Sequence, residues 1–241
     1  MSNNKLKIVN DFGITPKTSF TAAGIDFFIP KLASLEPDKQ MIAYHSFEKS
    51  FNMTDKQLAN VRTTIYDVLC TMIGNIELIH KILFDVMHLY LALDNEFKKS
   101  DKHTLLEKVT HFIEYNLTFK DPETVGIKLD DADQLKINSG IKEALPHDYA
   151  GIFFNKSGRG NDGLDVMSCV VDEDYTGYTH LSVINSKKTS YKVYCGEKLV
   201  QQVILPIYQV SDIEEIDSNE YQEIMKDSQR GDNGFCSTGK V

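Results

Sequence analysis

From Leu58 to Phe97 the apolar residues advance by threes and fours, a period that the short runs near the two ends of the chain do not keep. Leu58, Val61, Ile65, Val68, Met72, Ile76, Ile79, Leu83, Val86, Tyr90, Leu93 and Phe97 mark the steps. That spacing lines one face of a helix. Thr54-Asp-Lys-Gln57 just before it is a capping box, which starts a helix by satisfying its first free N–H groups. Gly74-Asn75 is the place for a kink or break. A second helical run with Leu105, Val109, Phe112 and Ile113 follows Ser100-Asp101. On both sides the texture is short-period. FTAAGIDFFIP comes before the helices; LKINSGI, AGIFFN, LDVMSCVVD, THLSVIN, YKVYC and LVQQVILPIY come after them. These runs are rich in Val, Ile, Tyr and Phe and are separated by Gly, Asn, Asp and Pro, the pattern of a sandwich or barrel. The expectation is a mainly β domain from residues 1–39 and 129–210, an α-helical hairpin inserted over 40–128, and a C-terminal arm over 211–241.

Charge narrows the functions open to such a chain. It has 241 residues, with Lys and Arg totalling 26 against 35 Asp and Glu, a formal charge of −9. The summed field would repel a nucleic-acid backbone, so a general nucleic-acid binder is not expected. A small anionic substrate would need a local basic cluster or a metal ion. No stretch reaches the roughly 20 apolar residues that cross a bilayer, so no membrane association is expected. Cys70, Cys169, Cys195 and Cys236 are far apart, with no Cys-x-x-Cys pair, which reads as reduced thiols in a cytoplasmic protein.

Three segments carry residues suited to chemistry. The tail RGDNGFCSTGKV offers Gly-rich backbone with Arg230, Ser237 and Thr238 as donors for a phosphate chain, and Phe235 to cap a flat ring. Its GFCSTGK has Walker A spacing, but Val241 stands where Ser or Thr is required, so a true P-loop is excluded. In VVDEDYTGYTHLSVIN, Asp172 ends an apolar strand, in position to act as a general base, and Tyr175 lies at the turn, able to stack on a sugar or base. In NKSGRG, Lys156, Ser157 and the Gly158 backbone form an anion nest. Taken singly, the tail reads as solvated, the Asp-Tyr turn as an ordinary hairpin. On the inserted helix, Glu77-x-x-His80 and Asp85-x-x-His88 have the ligand spacing of di-iron bundles, but both lie on one helix and read better as a solvated face.

In order along the chain, these segments resemble the five motifs of the trimeric, all-β dUTPase family. AGIDFFIP is similar to the first, NKSGRG to the second, VVDEDYTG to the third, GEKLVQQVILP to the fourth and RGDNGFCSTG to the fifth. INSGIKEALPHDYAGI is similar to the segment leading into the second, and the wording of the second and third motifs is most like phage-encoded versions. The resemblance implies a jelly-roll or β-barrel subunit, a homotrimer with active sites built from three chains, and hydrolysis of dUTP to dUMP and pyrophosphate with Mg²⁺. It implies that Asp172 activates the attacking water and that Tyr175 packs on the deoxyribose. Lys156, Ser157, Gly158 and Gln201 would meet the phosphates, and Asp26 would hold a water of the metal's shell. Arg230 would meet the γ-phosphate, Phe235 would lie over the uracil, and Ser237 and Thr238 would clamp the triphosphate. Lys156 stands where the family usually carries Arg, and Cys169 where it often carries Gly.

Two rival readings share this frame. A dCTP deaminase has a Trp at the position of Tyr175 and a catalytic Glu at that of Ser182, and a serine cannot shuttle protons to a leaving amine as a carboxylate does. A regulatory protein would use the helical insertion to bind a protein partner. The stripe's steps near 3.5 favour packing within the protein or its trimer over a foreign partner. On that expectation, a short loop could replace residues 40–128 without loss of hydrolysis.

Overall fold

The computed structural model describes residues 5–19, 21–93, 102–229 and 231. They divide into two units, one to Ile207 and one from Tyr208. The strands are β1 (Lys7–Asn10), β2 (Ile25–Phe28), β3 (Leu117–Asp121), β4 (Thr124–Leu129), β5 (Gln134–Asn138), β6 (Ile141–Ala144), β7 (Tyr149–Asn155), β8 (Leu164–Val166), β9 (Val170–Val171), β10 (His180–Asn185), β11 (Tyr191–Tyr194) and β12 (Lys198–Pro206). The helices are α1 (Pro37–Ser50), α2 (Asp55–Ile73), α3 (Ile76–Leu93), α4 (Lys102–Tyr115), α5 (Ser157–Asn161) and α6 (Ser218–Ile224). Four antiparallel sheets are built in the orders β1-β6, β5-β10-β8, β11-β4-β3 and β2-β12-β7-β9. The runs read as strands are strands, so the expected β architecture with inserted helices is the fold.

The insertion is richer and shorter than a hairpin over 40–128. Among the described residues it comprises four helices, α1 to α4, and β3 and β4 already belong to the β unit. The cause is local. Asp121 Oδ1 accepts from the N–H groups of Glu123 (2.9 Å) and Thr124 (2.7 Å), closing a tight turn. The residues beyond it pair with β11 and bury Val125, Ile127 and Leu129. The capping box forms as read: Thr54 N–H donates to Gln57 Oε1 at 2.8 Å, and Gln57 N–H to Thr54 Oγ1 at 3.3 Å. Gly74, at φ 66°, ends α2 in the left-handed region that suits glycine. The chain then starts α3, which packs on α2, and the two stripe residues flanking the break, Met72 and Ile76, are exposed.

The stripe itself faces this chain. From Ile82 to Ala92 every residue of α3 is buried, and the helix packs against α2, the 3-10 turn at Leu32–Ser34, β4 and β5. Its side chains and those of the sheets form one continuous core. Each such side chain contributes about 1.5–3 kcal/mol of apolar burial. Asp85 and His88 are therefore not on a solvated face: they are 0% and 1% exposed. Asp85 Oδ1 accepts from the N–H groups of Leu32 and Ala33, the latter at 3.0 Å, and so caps the turn that follows β2. With α3 inside the core, a short loop in place of residues 40–128 would strip one wall from the β unit. No described helix is long and apolar enough to cross a membrane.

The second unit starts at Tyr208, slightly before the expected 211. In it Asp217 caps α6, accepting from the N–H groups of Asn219 (2.8 Å) and Glu220 (2.9 Å).

Candidate active site

One sheet gathers four of the segments singled out from the sequence. In β2-β12-β7-β9, Gln201 of β12 lies opposite Asp26 of β2 and Phe154 of β7, one residue before Asn155 and two before Lys156. Val171 of β9 lies opposite Gly151 at the other end of β7, so Asp172 continues beside Ala150. Six residues of extended strand separate the level of Asp172 from Lys156, roughly 20 Å.

At the Lys156 end, Asp26 is held from two sides. Lys156 Nζ contacts its Oδ1, and Lys198 Nζ its Oδ2 at 2.7 Å. Burial opposes ionisation of Asp26, but the two ammonium groups outweigh it and hold the carboxyl below the usual range. Gln201 Nε2 donates to the Asn155 carbonyl at 3.2 Å, which orients its amide beside this cluster. A recess of about 530 Å³ opens here, lined by Phe28, Lys156, Gly158, Arg159, Tyr191 and Lys198 among others. Arg159 is not free to meet a ligand: its guanidinium donates to Glu197 Oε2 and to Tyr191 Oη, both at 2.8 Å. Ser157 and Gly158 open α5 and are exposed. Three cations, Lys156, Arg159 and Lys198, gather here against three carboxylates, Asp26, Asp162 and Glu197, so a polyanion would bind by taking the two lysines over from Asp26.

At the Asp172 end, a smaller cavity of about 180 Å³ is lined by Lys136, Phe153, Ser168, Val170, Val171, Asp172, Tyr175, Thr179 and His180. The turn that presents Asp172 and Tyr175 is tied down on both sides. Tyr175 N–H donates to the Asp172 carbonyl at 3.2 Å, and Tyr175 Oη to the Tyr178 carbonyl at 3.0 Å. The folded-back phenol lies where a side chain on residue 177 would go, which is why Asp-Tyr-Thr-Gly ends in glycine. Between the two flanking residues of interest, Glu173 receives the Asp148 N–H at 2.5 Å and approaches His147 Nδ1 at 3.0 Å, fixing the turn to the loop before β7. Asp172 itself is exposed at the mouth of the cavity.

Of the residues expected from sequence, Asp26, Lys156 and Gln201 come together, and Asp172 and Tyr175 come together elsewhere. Arg230, Phe235, Ser237 and Thr238 lie outside the described residues. Lys198, Lys136 and His180 were missed, because a lone Lys or His in a strand carries no local signal of a site.

Comparison with known proteins identifies the family. The family model for dUTPase matches residues 115–239, from the end of α4 through both recesses into the tail. The deoxyuridine 5'-triphosphate nucleotidohydrolase of vaccinia virus (strain Copenhagen) is 32% identical over 103 residues, 43% of this chain and 65% of the viral protein. That of variola virus is 30% identical over 105 residues, with the same shares. The matched segment thus spans slightly less than two thirds of these relatives. Among solved structures, the dUTPase of Staphylococcus bacteriophage 80alpha with dUPNHPP aligns with 99% of this chain and 100% of its own at a TM-score of 0.48 and 15% identity. The EIAV dUTPase aligns with 43% of this chain and 92% of its own, at a TM-score of 0.36 and 25% identity. The match of the family model over more than half of the sequence settles membership: this chain belongs to the dUTPase family.

Proposed function

We propose that the protein hydrolyses dUTP to dUMP and pyrophosphate. The observation that carries this reading is the split of its chemistry into a recess with two lysines on Asp26 at one end of the sheet and a small cavity with a carboxylate at the other. The cavity takes the nucleoside, with Tyr175 packed on the deoxyribose. Asp172 removes a proton from a water whose oxygen attacks the α-phosphorus, and pyrophosphate leaves. Lys156 and Lys198 turn from Asp26 to the phosphates, joined by Ser157, the Gly158 backbone and Gln201. Arg230, Ser237 and Thr238 of the tail meet the triphosphate, and Phe235 covers the ring.

Mg²⁺ fits the oxygen donors present. It keeps several of its waters and binds through a carboxylate plus substrate phosphates. Asp26 would hold it through water, with Lys156 and Lys198 engaged on the phosphates instead. When bound, the ion supplies neutralisation of the polyphosphate charge.

Because roughly 20 Å of strand separates the two recesses in one chain, one copy cannot close a site around one nucleotide. We therefore read the active form as a homotrimer in which the cavity of one copy meets the cationic recess of another. The deaminase reading finds no support, since Ser182 stands opposite Lys136 with no carboxylate in its place. A partner groove along the apolar stripe finds none either, since its described residues, Met72 and Ile76 apart, pack into this chain's own core.

Pyrophosphate release measured with dUTP, dCTP, dTTP and UTP in the presence of Mg²⁺ tests the reading. Release from dUTP far above the other three is expected. Ammonia from dCTP, or no release from dUTP, would overturn it.

A further inference from the structure

The ladder between β7 and β12 stops short of the two lysines that face Asp26. Its last pair at this end is Asn155 with Val200. Lys156 follows Asn155 and precedes α5, and Lys198 lies in β12 beyond a register shift between Lys198 and Val200. Pairing between these two strands therefore does not set the spacing of the lysines. In the chain without substrate their common partner, Asp26, joins their side chains. That joint is given up when both ammonium groups move to phosphates.

The turn after Lys156 is a poor support by itself. Its sequence, Ser-Gly-Arg-Gly-Asn, has two glycines in five residues, and no side chain caps its start. Two backbone bonds close it, Gly160 N–H to the Lys156 carbonyl at 2.8 Å and Asp162 N–H to the Gly158 carbonyl at 3.0 Å. Among the described residues, neither Ser157 nor Asn161 makes a side-chain hydrogen bond.

Arg159 supplies the missing link. From the middle of the turn its Nε donates to the Lys198 carbonyl at 3.3 Å, its Nη1 to Tyr191 Oη and its Nη2 to Glu197 Oε2, both at 2.8 Å. The other oxygen of Glu197 accepts from Lys120 Nζ of β3 at 3.3 Å. Burial opposes ionisation of Glu197, but Arg159 and Lys120 outweigh it and hold the carboxyl below its usual range. A planar guanidinium can serve three such partners at once, whereas a single ammonium cannot match that fork. The side chain is 20% exposed, so it is packed into the structure as well as bonded to it.

We propose that Arg159 is a positioning residue: it spans the open end of the β7–β12 pair and fixes the spacing between Lys198 and the turn that carries Lys156, Ser157 and Gly158. With that spacing fixed, both lysines meet one phosphate chain without first having to be ordered. The proposal rests on the reading that this recess takes the phosphates of dUTP.

The test measures steady-state pyrophosphate release from dUTP by the full chain and by four variants, Arg159→Met, Tyr191→Phe, Lys198→Met and Arg159→Met/Lys198→Met, with a melting curve for each. Ordering two rotamer-rich side chains that were held before should raise KM for Arg159→Met roughly tenfold. The loss should fall on KM more than on kcat, as for binding that ground and transition states share. In the Lys198→Met background there is no second lysine to space, so adding Arg159→Met should raise KM much less than it does alone. A side chain that merely stabilised the fold would add the same loss in both backgrounds. Tyr191→Phe removes one hydrogen bond and keeps the ring, so it keeps the proposal testable where Arg159→Met fails to fold; a smaller rise in KM is expected. A folded Arg159→Met with wild-type KM, or one whose effect is undiminished beside Lys198→Met, overturns the proposal. Should Arg159→Met not fold, wild-type KM in Tyr191→Phe overturns it. Wild type that releases no pyrophosphate from dUTP overturns the underlying reading instead, and is seen before any variant is compared.

Discussion

Asp172, the carboxylate at the mouth of the small cavity, is the residue on which turnover should depend most. An amide of the same shape keeps the cavity but cannot take a proton from water. Asp172→Asn is expected to lower kcat by about 10²–10⁴-fold with dUTP affinity largely kept, checked by single-turnover kinetics and a binding titration. A variant turning over at the wild-type rate would remove Asp172 from the role of base. Lys198 has a different task. Its ammonium group, 2.7 Å from Asp26 Oδ2, is one of two that can exchange a carboxylate for phosphate. Lys198→Met should therefore raise KM for dUTP by roughly tenfold or more, the worth of one hydrogen bond to a charged group. Asp26, Lys156, Gln201, Asp172 and Tyr175 could be singled out in the sequence because motif-like neighbours accompany each of them, and the structure gathers the first three at one end of a sheet and the last two at the other. Lys198 could not, because its role depends on strand pairing that brings β12 beside β2.

At the scale of elements, local rules held where the cause is local. The Thr54–Gln57 box and the Gly74 break are both written in a few adjacent residues. The depth of α3 was harder to read. A single stripe describes a helix on a surface, whereas Ile76–Leu93 is apolar around most of its circumference, the mark of a helix buried on all sides. The strand pair Leu117–Leu129 was missed because its start follows a helix with no Gly or Pro to mark the change. Asp85 gives α3 a measurable signature. Burial, only partly offset by the N–H groups of Ala33 and Leu32, raises its pKa from 3.8 to about 7. A carboxyl raised in this way favours folding most below its unfolded value of 3.8, and that contribution is lost as pH climbs through about 7. Thermal unfolding should therefore show a melting temperature that falls across this window from Asp85 alone. Asp85→Asn keeps an oxygen for the two N–H groups and has no charge to bury, so it should flatten that slope. An unchanged slope in the variant would show that Asp85 does not titrate there.

The inserted helices share one core with the β unit, so the chain is a single folding body up to Ile207 rather than a barrel with a removable appendage. The tail is a separate matter. Residues 230–241 resemble the fifth motif and are polar and Gly-rich in sequence. Truncation after Gln229 should cut dUTP turnover far more than it lowers the melting temperature, measured on the same preparation. Full activity in a truncated protein would contradict the phosphate-holding role of Arg230, Ser237 and Thr238. The central claim is that each active site joins the cavity of one copy to the cationic recess of another. Its most direct measurement is complementation between two inactive variants. Asp172→Asn spoils the cavity half and Lys156→Met/Lys198→Met the recess half. Co-refolded in equal amounts, a closed assembly with randomly placed copies should regain about a quarter of its sites, one half times one half, and pyrophosphate release should recover accordingly. No recovery from well-folded mixed assemblies would mean that both halves must come from one chain, and would contradict the account.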